Sequence, residues 1–204
     1  MKKTILLLSG LVFFSCTSEV KEIASSDKKL SQGSYSLDVK NSKVLWVGKK
    51  PTGEHRGEIL FSKGEFEILD NKIKKGEFEL NMNSISCTDL QGEDSLDLVG
   101  HLKGGDFFNV DTFKIATIEI ISSELDSVNF KIKANLKIKG ISNPIEFISG
   151  IKFLNDSIVA IADFEIDRTR WGIKYKSKKI YQLADKFIND DVSIQLRIKA
   201  KRKE

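Results

Sequence analysis

The stretch Phe130-Lys-Ile-Lys-Ala-Asn-Leu-Lys-Ile-Lys139 alternates apolar and polar side chains from end to end. In a β-strand such alternation places the apolar residues on one face and the lysines on the other. A regular in–out pattern is typical of an antiparallel sheet with one face in water. The same period of two returns in three further stretches, at 78–82, 160–168 and 192–200. The sequence therefore predicts an all-β fold.

Ten segments between turn residues carry this pattern, and we expect about eight strands because some of the segments can merge or split. Their approximate limits are 35–39, 42–48, 55–62, 65–70, 74–85, 112–121, 127–139, 144–154, 157–168 and 191–201. The turns separating them are predicted at Lys63-Gly64, Asp70-Asn71, Ser142-Asn143-Pro144 and Asn155-Asp156. So many strands indicate either a closed barrel or a sandwich.

Two segments break the strand pattern. Asp94–Leu102 spaces its apolar residues at helical intervals and begins with an acidic residue, which suits the start of a helix. Lys179–Phe187 predicts either a second short helix or an irregular loop. The fold prediction is thus all-β with one or two short helices.

The first residues predict export from the cytoplasm. Met1-Lys2-Lys3 is cationic, Thr4–Phe14 is apolar but too short to span a bilayer, and Ser15-Cys16 follows where a signal peptidase would cut. The stretch Phe13-Phe14-Ser15-Cys16 is similar to a relaxed lipobox, in which the Cys is lipidated. The alternative is an ordinary secreted protein with a chance Cys near the cleavage site.

These features divide the chain into a signal peptide (1–15), a lipidated Cys16 with a polar tether (16–33) and one β domain (34–204). Several acyl chains at Cys16 would make membrane anchoring stable. Thr17 is not the Asp that retains some lipoproteins in the inner membrane, which favours an outer-membrane anchor facing the periplasm.

Charge and cysteine content exclude several classes of protein. The net charge of +4 falls to about +2 once residues 1–15 are removed, whereas nucleic-acid-binding domains are usually strongly basic. With Cys16 used by the anchor, Cys87 has no partner for an intramolecular disulfide and is interpreted as a free thiol. No nucleophile, base and orienting group occur in a recognisable pattern, so we predict no enzymatic activity.

Several ordered motifs resemble the YceI-like domain family. They are Tyr35-Ser-Leu-Asp38, Ser42-Lys-Val-Leu-Trp46, His55-Arg-Gly57, His101-Leu-Lys-Gly-Gly-Asp-Phe-Phe108, Phe113-Lys-Ile-Ala116, Ala134-Asn-Leu-Lys-Ile-Lys-Gly140, Asn143-Pro-Ile145, Phe164-Glu-Ile-Asp-Arg168 and Trp171-Gly-Ile173. Each motif is weak alone, but together they span almost the whole domain in the family's order. The resemblance implies a lipocalin-like, extended antiparallel β-barrel with an elongated apolar cavity. It also implies a polyisoprenoid ligand, such as an isoprenoid quinone or an isoprenyl phosphate.

Inward-facing apolar residues are the candidate ligand contacts, because an isoprenoid chain needs an apolar pocket with a few polar groups at its mouth. The predicted cavity or mouth residues are Trp46, His55, Phe78, Leu80, Met82, His101, Phe108, Phe113, Phe130, Ile132, Phe164 and Arg168, and Phe107 is placed with them. The alternation is the same in a filled barrel, so the sequence leaves open whether these side chains line a cavity or fill the core.

The polar residues of this set each have two interpretations. His55 and His101 either contact a ligand head group or stabilise local turns. Arg168 lies in the inward register and either pairs with a carboxylate such as Asp106 or awaits an anionic head group. The sequence has no HxH or HxxxH spacing, so no metal site is predicted.

The function predicted from the sequence is that of an envelope lipoprotein whose barrel binds a long apolar ligand. Its partners would be that lipid and, through the anchor, the membrane, with no nucleic acid and no cofactor other than the lipid. A homodimer is left open. The alternatives are a filled barrel that acts as an interaction scaffold and, third, a catalyst that uses His55.

Overall fold

The computed structural model of the chain describes residues 32–126, 129–181 and 186–203. Within these ranges nine antiparallel strands and one α-helix form the all-β fold that the alternation predicts. The strands are β1 (Gly33–Leu37), β2 (Lys43–Lys50), β3 (Gly53–Leu69), β4 (Lys72–Cys87), β5 (Ile115–Asp126), β6 (Asn129–Ile138), β7 (Ile141–Leu154), β8 (Ser157–Asp167) and β9 (Asp191–Arg202). The helix is α1 (Gly92–Lys103).

The sheet closes on itself into a barrel. From β3 to β9 each strand pairs with the next strand in the chain. The connection between β8 and β9 is long, but these two strands also pair with each other. The ring is completed by β1 and β2, which run in the same direction and share one position between β3 and β9. β2 pairs with the first half of β3 and β1 with its second half, so that the ring has eight positions. Every described strand is paired on both sides over at least part of its length, which favours a closed barrel over a sandwich.

The two ends of the barrel differ in their connections. The end at which β2, β4, β6 and β8 finish carries α1, the 3₁₀ helix Arg168–Trp171 and the long connection to β9. We call this the helix end. At the opposite end, β3–β4 and β7–β8 are joined by tight turns in which Asp70, Asn71 and Asn155 have positive φ angles. These two turns lie where the sequence predicts them.

The predicted turn at Ser142-Asn143-Pro144 is wrong. The turn between β6 and β7 is Lys139-Gly140, whose φ angles of 50° and 76° are those of a tight hairpin turn. Pro144 instead lies within β7, opposite Asn135 of β6. A strand tolerates proline there because β8 pairs with β7 only from Ser149 onward, so no neighbouring strand needs the missing N–H.

The predicted turn at Lys63-Gly64 is also wrong, since β3 runs through it as one long strand with bulges. Gly64 serves packing here. A Cβ at this position would lie 2.6 Å from Cδ1 of Phe78 and 3.0 Å from Cδ2 of Leu37. Because Gly64 has no side chain, the core residues Phe78 and Leu37 can pack against β3 at this position. A glycine in the sequence does not by itself distinguish this packing role from a turn.

The helix predicted at Asp94–Leu102 is confirmed as α1, slightly longer at both ends. Its acidic first turn contains Glu93 and Asp94, and Leu102 is its buried residue. The described parts of the second segment, Lys179–Phe187, contain no helix: 179–181 form a turn and a bend, and 186–187 have no regular structure, as in the predicted irregular loop.

Residues 1–31 lie outside the described ranges, and with them the predicted signal peptide, the lipidation site Cys16 and almost all of the tether. Among the residues that are described, no helix is long and apolar enough to cross a membrane.

Gly57 tests how tightly the barrel wall is built beside β2. A Cβ on Gly57 would lie 1.7 Å from the carbonyl oxygen of Ser86 and 2.6 Å from Cζ2 of Trp46, so we expect Gly57→Ala to destabilise the fold by at least about 2 kcal/mol. Gly48 is the matched control, because a Cβ there meets nothing within 4 Å. Urea denaturation should show Gly48→Ala within about 0.5 kcal/mol of wild type. Equal stabilities of the two variants would contradict the close approach.

Candidate functional site

The barrel encloses a cavity of about 250 Å³ at its helix end. Its wall consists of inward-facing apolar side chains from most of the strands, and Leu98 and Leu102 of α1 contribute from the end of the barrel. Polar and charged residues lie along it as well, namely Lys49, Lys50, His55, His101 and Arg168. An apolar chamber with a few polar groups at one end is the usual form of a small-molecule site.

A second, smaller cavity of about 50 Å³ lies deeper in the barrel. Phe66, Ile73 and Ile158, which lie toward the end opposite α1, contribute to its wall. Ile118 and Leu196 line both cavities. These two side chains therefore stand between the chambers.

The structure places the predicted cavity residues in three groups. Those along the larger cavity are Trp46, His55, Leu80, Met82, His101, Phe108, Phe164 and Arg168, together with Phe107. Phe78 and Ile132 line the smaller cavity. Phe113 and Phe130 line neither: Phe130 is a core residue with 1% exposure, and Phe113 packs beside Gly140. Alternation shows which residues point inward, but it does not show where the packing leaves space.

An aromatic cluster borders the larger cavity at the helix end. The His101 ring packs edge-on against Phe107 and Tyr175, with centroid distances of 4.9 and 4.6 Å. Tyr175 and the cavity residue Ile188 come from the connection between β8 and β9, whose sequence has no periodic pattern that points to the cavity. That connection is tied to the barrel, because Asn189 donates its backbone N–H to the carbonyl oxygen of Lys49 at 2.8 Å.

His55 is held at the rim of the cavity by Asp89. The His55 Nδ1 and Asp89 Oδ2 atoms are 3.0 Å apart, and Asp89 Oδ1 accepts the backbone N–H of Arg56 at 2.7 Å. Partial burial would raise the pKa of Asp89, but the hydrogen bonds from Arg56, His55 and Cys87 outweigh it and lower the pKa to about 2. An ionised carboxylate can only accept, so Nδ1 donates the proton and Nε2 is left available to a ligand.

Arg168 is buried at 3% exposure and is bound on several sides by the protein. Its guanidinium donates to the backbone carbonyl oxygens of Ile173, Ile188 and Asn189 and lies 3.4 Å from the carboxylate of Asp190. Burial lowers the pKa of Arg168, opposed mainly by the Asp190 carboxylate. The carboxylate partner is thus Asp190 and not the predicted Asp106.

Trp46 and Trp171, the two tryptophans of the chain, both line the larger cavity but differ in hydrogen bonding. The Trp171 indole N–H donates to the carbonyl oxygen of Leu136 at 2.9 Å. The Trp46 indole nitrogen is buried and has no hydrogen-bond partner among the described residues. Such a group is rare in folded proteins.

Two further features bear on chemistry. Cys87 is a half-buried free thiol whose Sγ lies 3.3 Å from Asp89 Oδ1. In the part of the chain that the structure describes, no three His, Cys, Asp or Glu side chains converge as a metal site requires.

A comparison with protein families matches residues 35–200 to the YceI-like domain. The chain belongs to the YceI-like domain family. The lipocalin-like barrel that the motifs imply is likewise confirmed. No curated protein sequence matches the chain.

Solved structures share this fold at low sequence identity. BcnA from Burkholderia cenocepacia aligns with a TM-score of 0.67 and 18% identity, over 81% of this chain and 99% of BcnA. A polyisoprenoid binding domain from Saccharophagus degradans, implicated in plant cell wall breakdown, aligns with a TM-score of 0.64 and 16% identity, over 83% and 98% of the two chains. The YceI protein of Campylobacter jejuni gives 0.53 and 21%, over 65% and 74%. Identities this low show a common fold alone.

The Asp89 carboxylate should make stability depend on acidity. Its pKa in the folded protein, about 2, is below the ordinary 3.8, so its contribution is present above pH 3.8 and is lost as the pH falls through 2. We expect Asp89→Asn to cost about 1 kcal/mol at pH 7, less than the pKa shift implies because the side chain is partly exposed, and to cost much less at pH 2. Denaturation at several pH values measures this. Asp111→Asn is the control, because Asp111 is exposed and lies in the same connection between β4 and β5. A cost of Asp89→Asn that is unchanged at pH 2 would contradict the role of the ionised Asp89 carboxylate.

Replacing Arg168 should reveal whether it is structural. Arg168→Met leaves the buried Asp190 without its cation, and we expect a loss of about 3–5 kcal/mol in the free energy of unfolding. Lys179→Met is the matched control, since its ion pair with Asp167 is exposed and should contribute about 0–1 kcal/mol. If Arg168→Met instead costs less than about 1 kcal/mol and weakens binding of an isoprenyl phosphate, the guanidinium serves the ligand.

Proposed function

We propose that the barrel binds a long apolar ligand in its interior and acts as a carrier, without catalysing a reaction. The observation that supports this most directly is the larger cavity, whose wall is mostly Leu, Ile, Val, Phe and Trp side chains. A filled barrel acting as a scaffold would have no need of such a space, since protein interiors normally pack without voids larger than a water molecule.

The size of the chambers bears on the length of the ligand. An apolar cavity of about 150 Å³ is enough for benzene, so 250 Å³ holds a ring with a short tail but not a long chain. A long isoprenoid needs both cavities. Rotation of Ile118 and Leu196, which line both, would join them along the barrel axis.

The polar residues give the ligand an orientation. Lys49, Lys50 and His55 lie at the helix end, whereas the smaller cavity is lined by apolar side chains apart from Ser149. We therefore place the head group at the helix end and the tail toward the tight turns. A quinone or an isoprenyl phosphate both fit this arrangement, and the Saccharophagus domain of the same fold is described as polyisoprenoid binding.

We further propose that the protein is exported and anchored through a lipidated Cys16, facing the periplasm from the outer membrane. β1 begins at the barrel end opposite the helix end, so the chain enters on the tail side of the cavity. The residues between Cys16 and Gly33 can reach at most roughly 55 Å. Proximity to a bilayer would supply and accept an apolar cargo.

Native mass spectrometry of the purified protein tests the carrier function. We expect a co-purified apolar molecule in near-stoichiometric amount, and Ala116→Leu, which places three more carbons in the larger cavity, should weaken its binding at least tenfold. Thr117→Leu is the matched control, because the next residue of β5 faces the other side of the sheet.

A clean mass without adducts, together with no saturable uptake of a quinone or an isoprenyl phosphate, would leave the scaffold as the better account. Equal binding by the two leucine variants would show that the ligand lies outside the larger cavity.

A further inference from the structure

The indole N–H of Trp46 is a buried donor inside the barrel. Trp46 lies on the inward face of β2, its side chain lines the larger cavity, and its exposure is 7%. No acceptor for its nitrogen occurs among the described residues. A buried polar group without a partner typically costs about 1–3 kcal/mol, a cost that a Phe ring at the same place would avoid.

The residues that flank Trp46 in the sheet are neutral. On either side of β2 it pairs with Gly57 and Ile194, neither of which carries a polar side chain. The charge of Arg168, elsewhere on the cavity wall, is balanced by Asp190. A lone neutral donor in such a place suits a neutral acceptor, because burying an anion would require several donors or a cation.

The position along the barrel fits a ligand that enters head-outward. His55 pairs with Gly48 of β2, and Trp46 lies two residues further from the helix end on the same inward face. At about 3.3 Å per residue the two side chains are separated by roughly 7 Å along the strand. A head group with one polar atom at the rim and a second polar atom about the width of a ring deeper could contact both His55 and Trp46.

We propose that Trp46 donates a hydrogen bond to a neutral oxygen acceptor of the ligand, such as a carbonyl, ester or ether. This assignment rests on the proposed carrier function and narrows the ligand class. The carbon skeleton of the ligand fills the apolar cavity, and an uncharged oxygen atom of its head group accepts a hydrogen bond from the Trp46 indole. A phosphate-bearing head would instead stay at the rim near Lys49 and Lys50.

The indole signals of ¹⁵N-labelled protein test the proposal directly. The chain has two tryptophans, and Trp171, already bound to Leu136, is an internal reference. Titration with 2-undecanone should move the Trp46 indole proton downfield, whereas undecane, which has the same chain without the oxygen, should not. A proton that moves equally with both probes would overturn the hydrogen bond.

Trp46→Phe completes the test because it keeps most of the ring but removes the donor. Wild type should bind the ketone about tenfold more tightly, relative to the hydrocarbon, than the variant does. The infrared carbonyl stretch of bound 2-undecanone should also lie at a lower frequency in wild type. The melting temperature of the variant without ligand should be equal or higher.

The possible failures are separable. If both probes bind and Trp46→Phe leaves their ratio unchanged, the hydrogen bond is absent while the carrier function stands. If neither probe binds to either protein, the carrier function itself fails, and the assignment of Trp46 fails with it.

Discussion

β9 pairs with β8 along one edge over most of its length, while its other edge pairs with β2 and then β1. This seam joins the last strand of the domain to the first two, and without it the sheet would be open on both sides. The interior of the barrel exists because of this closure. The pairing of β9 with β1 and β2 joins segments more than 140 residues apart in the sequence, and such long-range contacts tend to slow folding.

Once the ring is closed, polar groups inside it have few ways to be satisfied. Arg168 and Asp190 neutralise each other and bind the connection between β8 and β9 to the barrel. His55 is paired with Asp89 near the rim, where both remain partly accessible. The Trp46 N–H is the exception among described buried side chains, and the Trp46 side chain lies on the cavity wall. The charged groups at the helix end are therefore paired within the protein, whereas the unpaired donor belongs to a side chain that lines the cavity.

Periodicity predicted the strands and α1 because both follow from local patterning. Periodicity does not predict that Pro144 lies within β7. The strand tolerates this proline because β8 does not pair with that part of β7, and the local sequence does not show where the pairing stops. The inward register places Phe113 and Phe130 with the cavity residues, because the pattern does not reveal which inward side chains pack against one another and fill the space. Tyr175 and Asp190 were missed since they lie in an irregular connection without a period. Their partners are set by the fold, and no spacing in the sequence indicates them.

The two barrel ends impose a direction on any exchange of cargo. At the end opposite the helix end, tight turns such as Asp70-Asn71 join the strands and contain few atoms that could move aside. The helix end is covered by α1 and the long connection to β9, which are larger units with fewer strand pairings. A ligand would therefore enter past α1. The chain, however, enters the barrel at the far end, so an anchor at Cys16 would hold the tight turns nearer the bilayer. Loading from that bilayer would then require the barrel to turn its helix end toward the membrane.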